Sequence, residues 1–299
     1  MNRLNIPAIL KRAPVGLRRH LAVKLLLSLF QGSHDQWIEF NEGAKAYVDL
    51  RDPEARNVFL KRSFEPEFFT TALAALSSGG VFFDCGANFG LCTFGLIPLI
   101  NCHQLVCHLF EANSSLIRYL KASTSLFPTA RIRVTEGCIS DRHGVSRFHI
   151  DTDSPGKSHV AFDGASVQTN IMLDDYLDVN KIGVVNFLKM DLEGQELTAL
   201  RGLSKSLHRG AIEVIYFEVR TELLHRYGLV AEDIIKFLNR NDFQVFYCRK
   251  QDLIRGSTAR VTFSRPGLNR LHLGELGTVP RELGTDLLAI HDSLIVKKK

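Results

Sequence analysis

Three stretches of the chain place carboxylates where an apolar strand runs out. Val81-Phe82-Phe83 stops at Asp84, and Cys85-Gly86-Ala87-Asn88-Phe89-Gly90 follows as a glycine-spaced turn. Leu105 to Phe110 stops at Glu111, 27 positions after Asp84. Val184 to Met190 stops at Asp191, with Glu193, Gly194 and Glu196 just beyond. Acids at the carboxyl ends of buried parallel strands face the crevice where open α/β sheets bind ligands. Glycines in such a turn let the backbone approach a ligand with no Cβ in the way. A dinucleotide fold would carry G-x-G-x-x-G here, ready for a pyrophosphate. This turn reads D-x-G-x-N-x-G instead. A carboxylate at Asp84 repels an anion and suits a cationic ligand. Glu111 stands where a bidentate carboxylate holds ribose hydroxyls. Asp141, in Cys138-Ile139-Ser140-Asp141, either accepts from the exocyclic amine of an adenine or serves as a turn residue before Gly144. Asp191 and Glu193 are the functional candidates of the third stretch. Glu196 is expected in solvent in a first helical turn, favoured there by the helix dipole.

These residues need strands and helices to position them. The pattern predicts a helix over 91–100, a second strand over 105–110 and an Asn113-capped helix over 116–125. A third strand over 132–135 and an extra strand over 145–150 follow. Residues 151–166 read as a polar loop over the site, and 184–190 as the fourth strand. Strands over 212–217 (ending on Glu218), 243–247 and 286–290, and a helix over 232–239, complete the sheet. Ahead of it, Trp37 to Leu50 reads as a hairpin and Glu65 to Leu76 as a helix with Pro66 in its first turn. Residues 249–284, rich in Gly, Pro and Arg, read as an insertion or lid. The division expected is an N-terminal, mainly helical extension over 1–75 and a main domain over 76–299.

The chain has 299 residues and a formal net charge of +5. The charge is uneven. Arg3, Lys11, Arg12, Arg18, Arg19 and Lys24 precede the first acid, Asp35. The remainder is close to neutral, which argues against a broad nucleic-acid footprint. Residues 15–30 space leucines helically between basic residues, too briefly to span a membrane. Such a helix either lies on an anionic membrane surface or packs on the domain. The six cysteines contain no C-x-x-C pair. That pattern fits buried thiols in a reducing, cytoplasmic setting, with contact at a membrane surface through residues 15–30 as the variant.

Taken together, D-C-G-A-N-F-G at 84–90, L-F-E-A-N at 109–113, S-D-R-H-G at 140–144, L-D-D-Y-L at 173–177 and F-L-K-M-D-L-E-G-Q-E-L at 187–197 resemble the FkbM family of S-adenosylmethionine-dependent methyltransferases. The likeness runs over about 80–250. Ala112 departs from it, where the family often has proline. The resemblance implies an α/β, Rossmann-like, seven-stranded and mostly parallel sheet of the class I methyltransferase type, its last strand antiparallel. It implies S-adenosyl-L-methionine as cofactor. By analogy Asp84, Gly86, Asn88 and Gly90 would surround its amino acid part, Glu111 its ribose and Asp141 its adenine, with Ser140 also among the cofactor-binding residues.

The reaction so implied is methyl transfer to a hydroxyl oxygen of a sugar, glycan or other small-molecule acceptor. Asp191 and Glu193 would orient that acceptor or take its proton, with His149 and His159 as alternative bases. Lys189 reads as a strand residue with a structural partner. No spacing demands a metal. An RNA or protein methyltransferase and a non-catalytic cofactor-binding module are the competing readings. The near-neutral body counts against nucleic acid, and the intact acidic and glycine positions count against the binding module.

Overall fold

Phe82 and Phe83 are fully buried on opposite faces of one central strand, each in a different apolar layer. That is why this strand reads as an unbroken apolar run rather than an alternation. The computed structural model describes residues 34–100, 104–248, 259, 261–276 and 283–296. Residues 15–30, the Lys297–Lys299 tail and much of 249–284 lie outside the described residues.

In chain order the elements begin with β1 (Asp35–Phe40), β2 (Ala44–Asp49), α1 (Pro53–Lys61) and α2 (Pro66–Leu76). Next come β3 (Gly80–Cys85), α3 (Leu91–Leu96), β4 (Leu105–Glu111), α4 (Ser114–Thr124), β5 (Arg131–Glu136) and β6 (Cys138–Ile139). They continue through β7 (Val145–His149), β8 (His159–Val160), β9 (Ser166–Ile171), α5 (Leu173–Val179), β10 (Phe187–Met190), α6 (Glu196–Arg201) and α7 (Ser204–His208). The last are β11 (Val214–Arg220), α8 (Thr221–His225), α9 (Ala231–Asn239), β12 (Phe243–Tyr247), β13 (Gly274–Glu275) and β14 (Gly284–His291).

The main sheet runs β13-β12-β14-β11-β10-β3-β4-β5. Strands β11, β10, β3, β4 and β5 are parallel, and β14 runs antiparallel between β11 and β12. This is the expected seven-stranded order with an antiparallel final strand. An eighth, two-residue strand, β13, is added at the edge through Phe246 and Tyr247. A smaller sheet, β6-β9-β7-β8, carries the extra strand expected after Asp141.

Helix α3 is shorter than its apolar run predicts. It passes into a 3-10 turn over Ile97–Leu99 because Pro98 cannot donate the next helical hydrogen bond. Strand β11 runs past Glu218 to Arg220, so Glu218 lies inside the strand and not at its end. Helix α4 starts where Asn113 accepts from the Ser115 N–H at 3.1 Å. The described part of the N-terminal extension is a β1–β2 hairpin followed by two helices, and its apolar residues share one core with the sheet. Arg265, in the described part of the 249–284 insertion, donates to the Ala75 carbonyl and pairs with Glu213. Those partners lie at the amino ends of the parallel strands, away from the ligand side.

Candidate functional site

At the carboxyl ends of β3, β4 and β10 lies a cleft of about 630 Å³. Gly86 and Asn88 of the first turn, Glu111 at the end of β4, and Asp191 and Glu193 after β10 all line it. The small sheet and the 151–166 loop close it with Phe148, Gly156, Ser158 and His159. Phe110, Ile139, Val160 and Leu192 give it an apolar stretch.

Glu111 is anchored through both oxygens. The Asn88 N–H donates to Oε2 at 2.8 Å and the Asn113 N–H to Oε1 at 2.7 Å. Burial pushes its carboxyl up, and those two N–H groups oppose the shift. Asn88 has φ of +52°, a conformation asparagine tolerates, which turns its N–H toward Glu111. Its Nδ2 donates to Glu54 at 3.1 Å. Its buried Oδ1 has no hydrogen-bond partner among the described residues.

Several residues expected at the ligand do not line this cleft. Asp84 is fully buried behind the turn. Its Oδ2 accepts from the Thr93 hydroxyl at 2.7 Å and its Oδ1 is 3.5 Å from Lys189 Nζ. Burial pushes its carboxyl up, with Lys189 and Thr93 opposing. Gly90 caps α3 at φ +75°, against Phe94 and Leu120. Ser140 is buried with its N–H on the Ile171 carbonyl, and Asp141 faces Arg142 at 3.8 Å. The chain meets the cleft earlier, at Gly137, Cys138 and Ile139. Glu196 is not in solvent. It is buried, and its Oε1 accepts from the Leu192 and Gly194 N–H groups at 2.9 and 3.3 Å, which closes the turn after β10. His149 lies beside His159, ring centres 5.3 Å apart and planes tilted by 49°, but of the two only His159 lines the cleft.

A second, open cleft of about 1030 Å³ adjoins the first and shares Asn88, Gly156, Asp191 and Glu193 with it. Carboxylates crowd it. Burial first, then the negative charge of Asp191, raises Glu193 to about 7 and Glu218 to about 9. Glu218 is paired with Arg220 at 2.7 Å. Burial and Asp286 raise Glu65, at the start of α2, to about 8. Glu54, on α1, has water-exposed surface, yet it is recessed in the concave wall; burial and Asp191 raise it to about 7. Glu54 and Glu65 were not legible as site residues. Their only sequence signal is an acid beside a helix-starting proline, which reads equally well as plain helix capping.

The chemistry of the lining tests the cofactor. The charged side chains on the first cleft are Glu111, Asp191 and Glu193, with no lysine or arginine among its lining residues. That donor set fits a ligand carrying ammonium and sulfonium charge and opposes a pyrophosphate. The apolar stretch suits a flat base. A β-strand order of this kind with an acid-lined crevice at its topological switch defines a class I methyltransferase. The family model for the methyltransferase FkbM domain matches residues 84–245, and the chain belongs to that family. Its cofactor is S-adenosylmethionine.

Among solved structures, the chain is similar to an FkbM methyltransferase from Methylobacillus flagellatus KT. Identity is 19% and TM-score 0.41, over 71% of this chain and 43% of that one. The chain thus spans less than half the length of that protein. It is also similar to a precorrin-6y C5,15-methyltransferase from Geobacter metallireducens GS-15, at 10% identity and TM-score 0.40, over 75% and 87% of the two chains. An O-methyltransferase from Bacillus cereus in complex with SAH aligns at 12% identity and TM-score 0.37, over 78% and 82%. Comparison with curated proteins gives no match. Among the described residues no helix is long and apolar enough to cross a membrane, and no metal-binding cluster of His, Cys, Asp or Glu is present.

Proposed function

We propose that the protein moves a methyl group to a hydroxyl oxygen of a sugar, glycan or similar hydroxylated metabolite. S-adenosylmethionine, when bound, supplies an electrophilic methyl group on a sulfonium. Gly86, Asn88 and Glu111 would hold it in the first cleft. Glu193 then takes the acceptor's hydroxyl proton, because a carboxyl raised to about 7 is matched to that task near neutral pH. Asp191, ion-paired to Lys189 at 3.4 Å, orients the hydroxyl. Holding the two reactants in line supplies much of the rate.

The observation that supports this reading is the shared wall. Asp191 and Glu193 border both the cofactor cleft and the second cleft. The second cleft carries seven carboxylates against three cations, Lys157, Arg220 and Arg226, and a single large apolar side chain, Leu223. Such a lining suits a polyhydroxylated acceptor and opposes a polyanion. The test is transfer of label from S-adenosyl-[methyl-³H]methionine to a panel of sugars, glycosides and polyols. Label in a linkage stable to mild base marks an ether. Label found only in RNA, or only in base-labile esters of protein, would remove the proposal.

A further inference from the structure

We propose that Lys189 is a positioning residue for methyl transfer, its ammonium clasping the Gly86 carbonyl of the cofactor turn to the Asp191 carboxylate on the acceptor side. This inference rests on the methyl-transfer reading above. Lys189 stands on β10 directly beside Asp84 on β3, and its side chain is 8% exposed. Its shortest contact is not to a carboxylate. Nζ donates to the Gly86 carbonyl at 2.9 Å, while Asp191 Oδ2 and Asp84 Oδ1 lie at 3.4 and 3.5 Å. Burial alone would lower the ammonium; Asp191 and Asp84 outweigh it and keep it charged.

The two loops it joins are already in contact. A Cβ on Gly86 would lie 1.9 Å from the Asp191 carbonyl oxygen, and the Asp191 N–H donates to the Cys85 carbonyl at 3.1 Å. One cation therefore fixes the peptide that borders the cofactor and the carboxylate that borders the acceptor. For the fold alone an apolar pair in place of Lys189 and Asp84 would serve as well, because burying charges is costly. The third contact, to Asp191, is what a mere counterion of Asp84 would lack. Asp191 needs that tether, since its side chain is 43% exposed and its own charge lies among the carboxyls of Glu54, Glu193 and Glu218, each of which it raises.

The test compares Lys189→Met, Asp84→Asn, the double variant and Asp191→Asn in the full-length chain. Thermal unfolding and calorimetric titration with S-adenosylmethionine are measured on each. Lys189→Met alone melts lower, because Asp84 is left buried without its cation. The double variant regains most of that melting temperature, yet binds S-adenosylmethionine at least ~10-fold more weakly than Asp84→Asn alone, about 1.4 kcal/mol. In wild type, the ¹⁵N ammonium resonance of Lys189, assigned by its loss in Lys189→Met, shifts when S-adenosylhomocysteine is added. Equal affinity of the double and Asp84→Asn variants, or a resonance unmoved by the ligand, would overturn the proposal. If the double variant does not fold, Asp191→Asn decides. It must keep the wild-type melting temperature while displacing the Lys189 resonance, and an undisplaced resonance overturns the tether. Failure of the methyl-transfer reading looks different: the wild type itself would then bind no S-adenosylmethionine.

Discussion

Glu111 does two jobs with one carboxylate. It ties two loops through the Asn88 and Asn113 N–H groups, and it faces the first cleft, where we propose the cofactor binds. Glu111→Ala takes the acceptor from both N–H groups, and the Asn113 N–H, which is buried, is left unpaired at a cost of about 1–3 kcal/mol. We expect a lower melting temperature together with S-adenosylmethionine affinity reduced at least ~10-fold, about 1.4 kcal/mol, read by calorimetry. A variant that melts lower but binds normally would remove Glu111 from the cofactor site. The crowded acids make a second expectation. Glu193, Glu65 and Glu218 are raised to about 7, 8 and 9 from 4.5 in the folded chain. Between those limits the folded chain keeps protons that the unfolded chain has released. Stability of the ligand-free protein therefore falls as pH rises from about 5 to about 9. Its melting temperature should be higher at pH 5.5 than at pH 9, and Glu218→Gln should flatten that slope. A flat wild-type profile would contradict the crowding.

The turn between β3 and α3 is the element on which the proposed cofactor site hangs. Gly86 has φ of +77°, and an added Cβ would strike the Asp191 carbonyl oxygen. Gly86→Ala cannot relax this by moving a side chain, because the obstacle is backbone. The turn and the loop after β10 must separate. We expect cofactor binding to be lost by titration while the chain stays folded by circular dichroism. Retained binding would show that the two loops need not touch. This element was legible because a buried parallel strand ending on an acid and a glycine turn leaves a local signature, and so was the β4–Glu111 unit. The β5–β6 connection was not. The family resemblance put Ser140 and Asp141 at the cofactor, whereas the residue pattern left Asp141 between that and a turn; pairing of β6 with β9 carries both past the first cleft and leaves Gly137, Cys138 and Ile139 on its wall. A register set by a strand some thirty residues later leaves no trace in the local pattern. Glu196 was misplaced for a related reason. The dipole argument fits any acid in a first helical turn, and it could not see that this one folds back on the Leu192 N–H.

At the scale of the molecule, the segment before the sheet serves the core and the second cleft at once. Phe68 of α2 is fully buried, edge-on to Tyr216 at 5.5 Å and tilted against Phe82 and Phe187 at 6.2 and 5.9 Å. Three residues earlier, Glu65 reaches the second cleft. The cofactor cleft takes no lining residue from this segment, whose residues all precede Gly86. The helix was readable from its sequence, but its joining to the sheet depends on contacts more than a hundred residues apart, and no short-range pattern encodes them. Two substitutions on this one helix should therefore separate. Phe68→Ala removes a packed ring from between three strands and should cost about 3–5 kcal/mol, seen as a large drop in melting temperature. Glu65→Gln removes a carboxyl that the fold holds above its ordinary range, so melting should be unchanged or raised at pH 8. Neither side chain lines the first cleft, so S-adenosylmethionine affinity should stay within about twofold, 0.4 kcal/mol, for both at a temperature where the chain is folded. Transfer to an accepted sugar or polyol should weaken through KM in Glu65→Gln. If Glu65→Gln instead loses cofactor affinity while its acceptor KM is unchanged, the assignment of the two clefts is reversed.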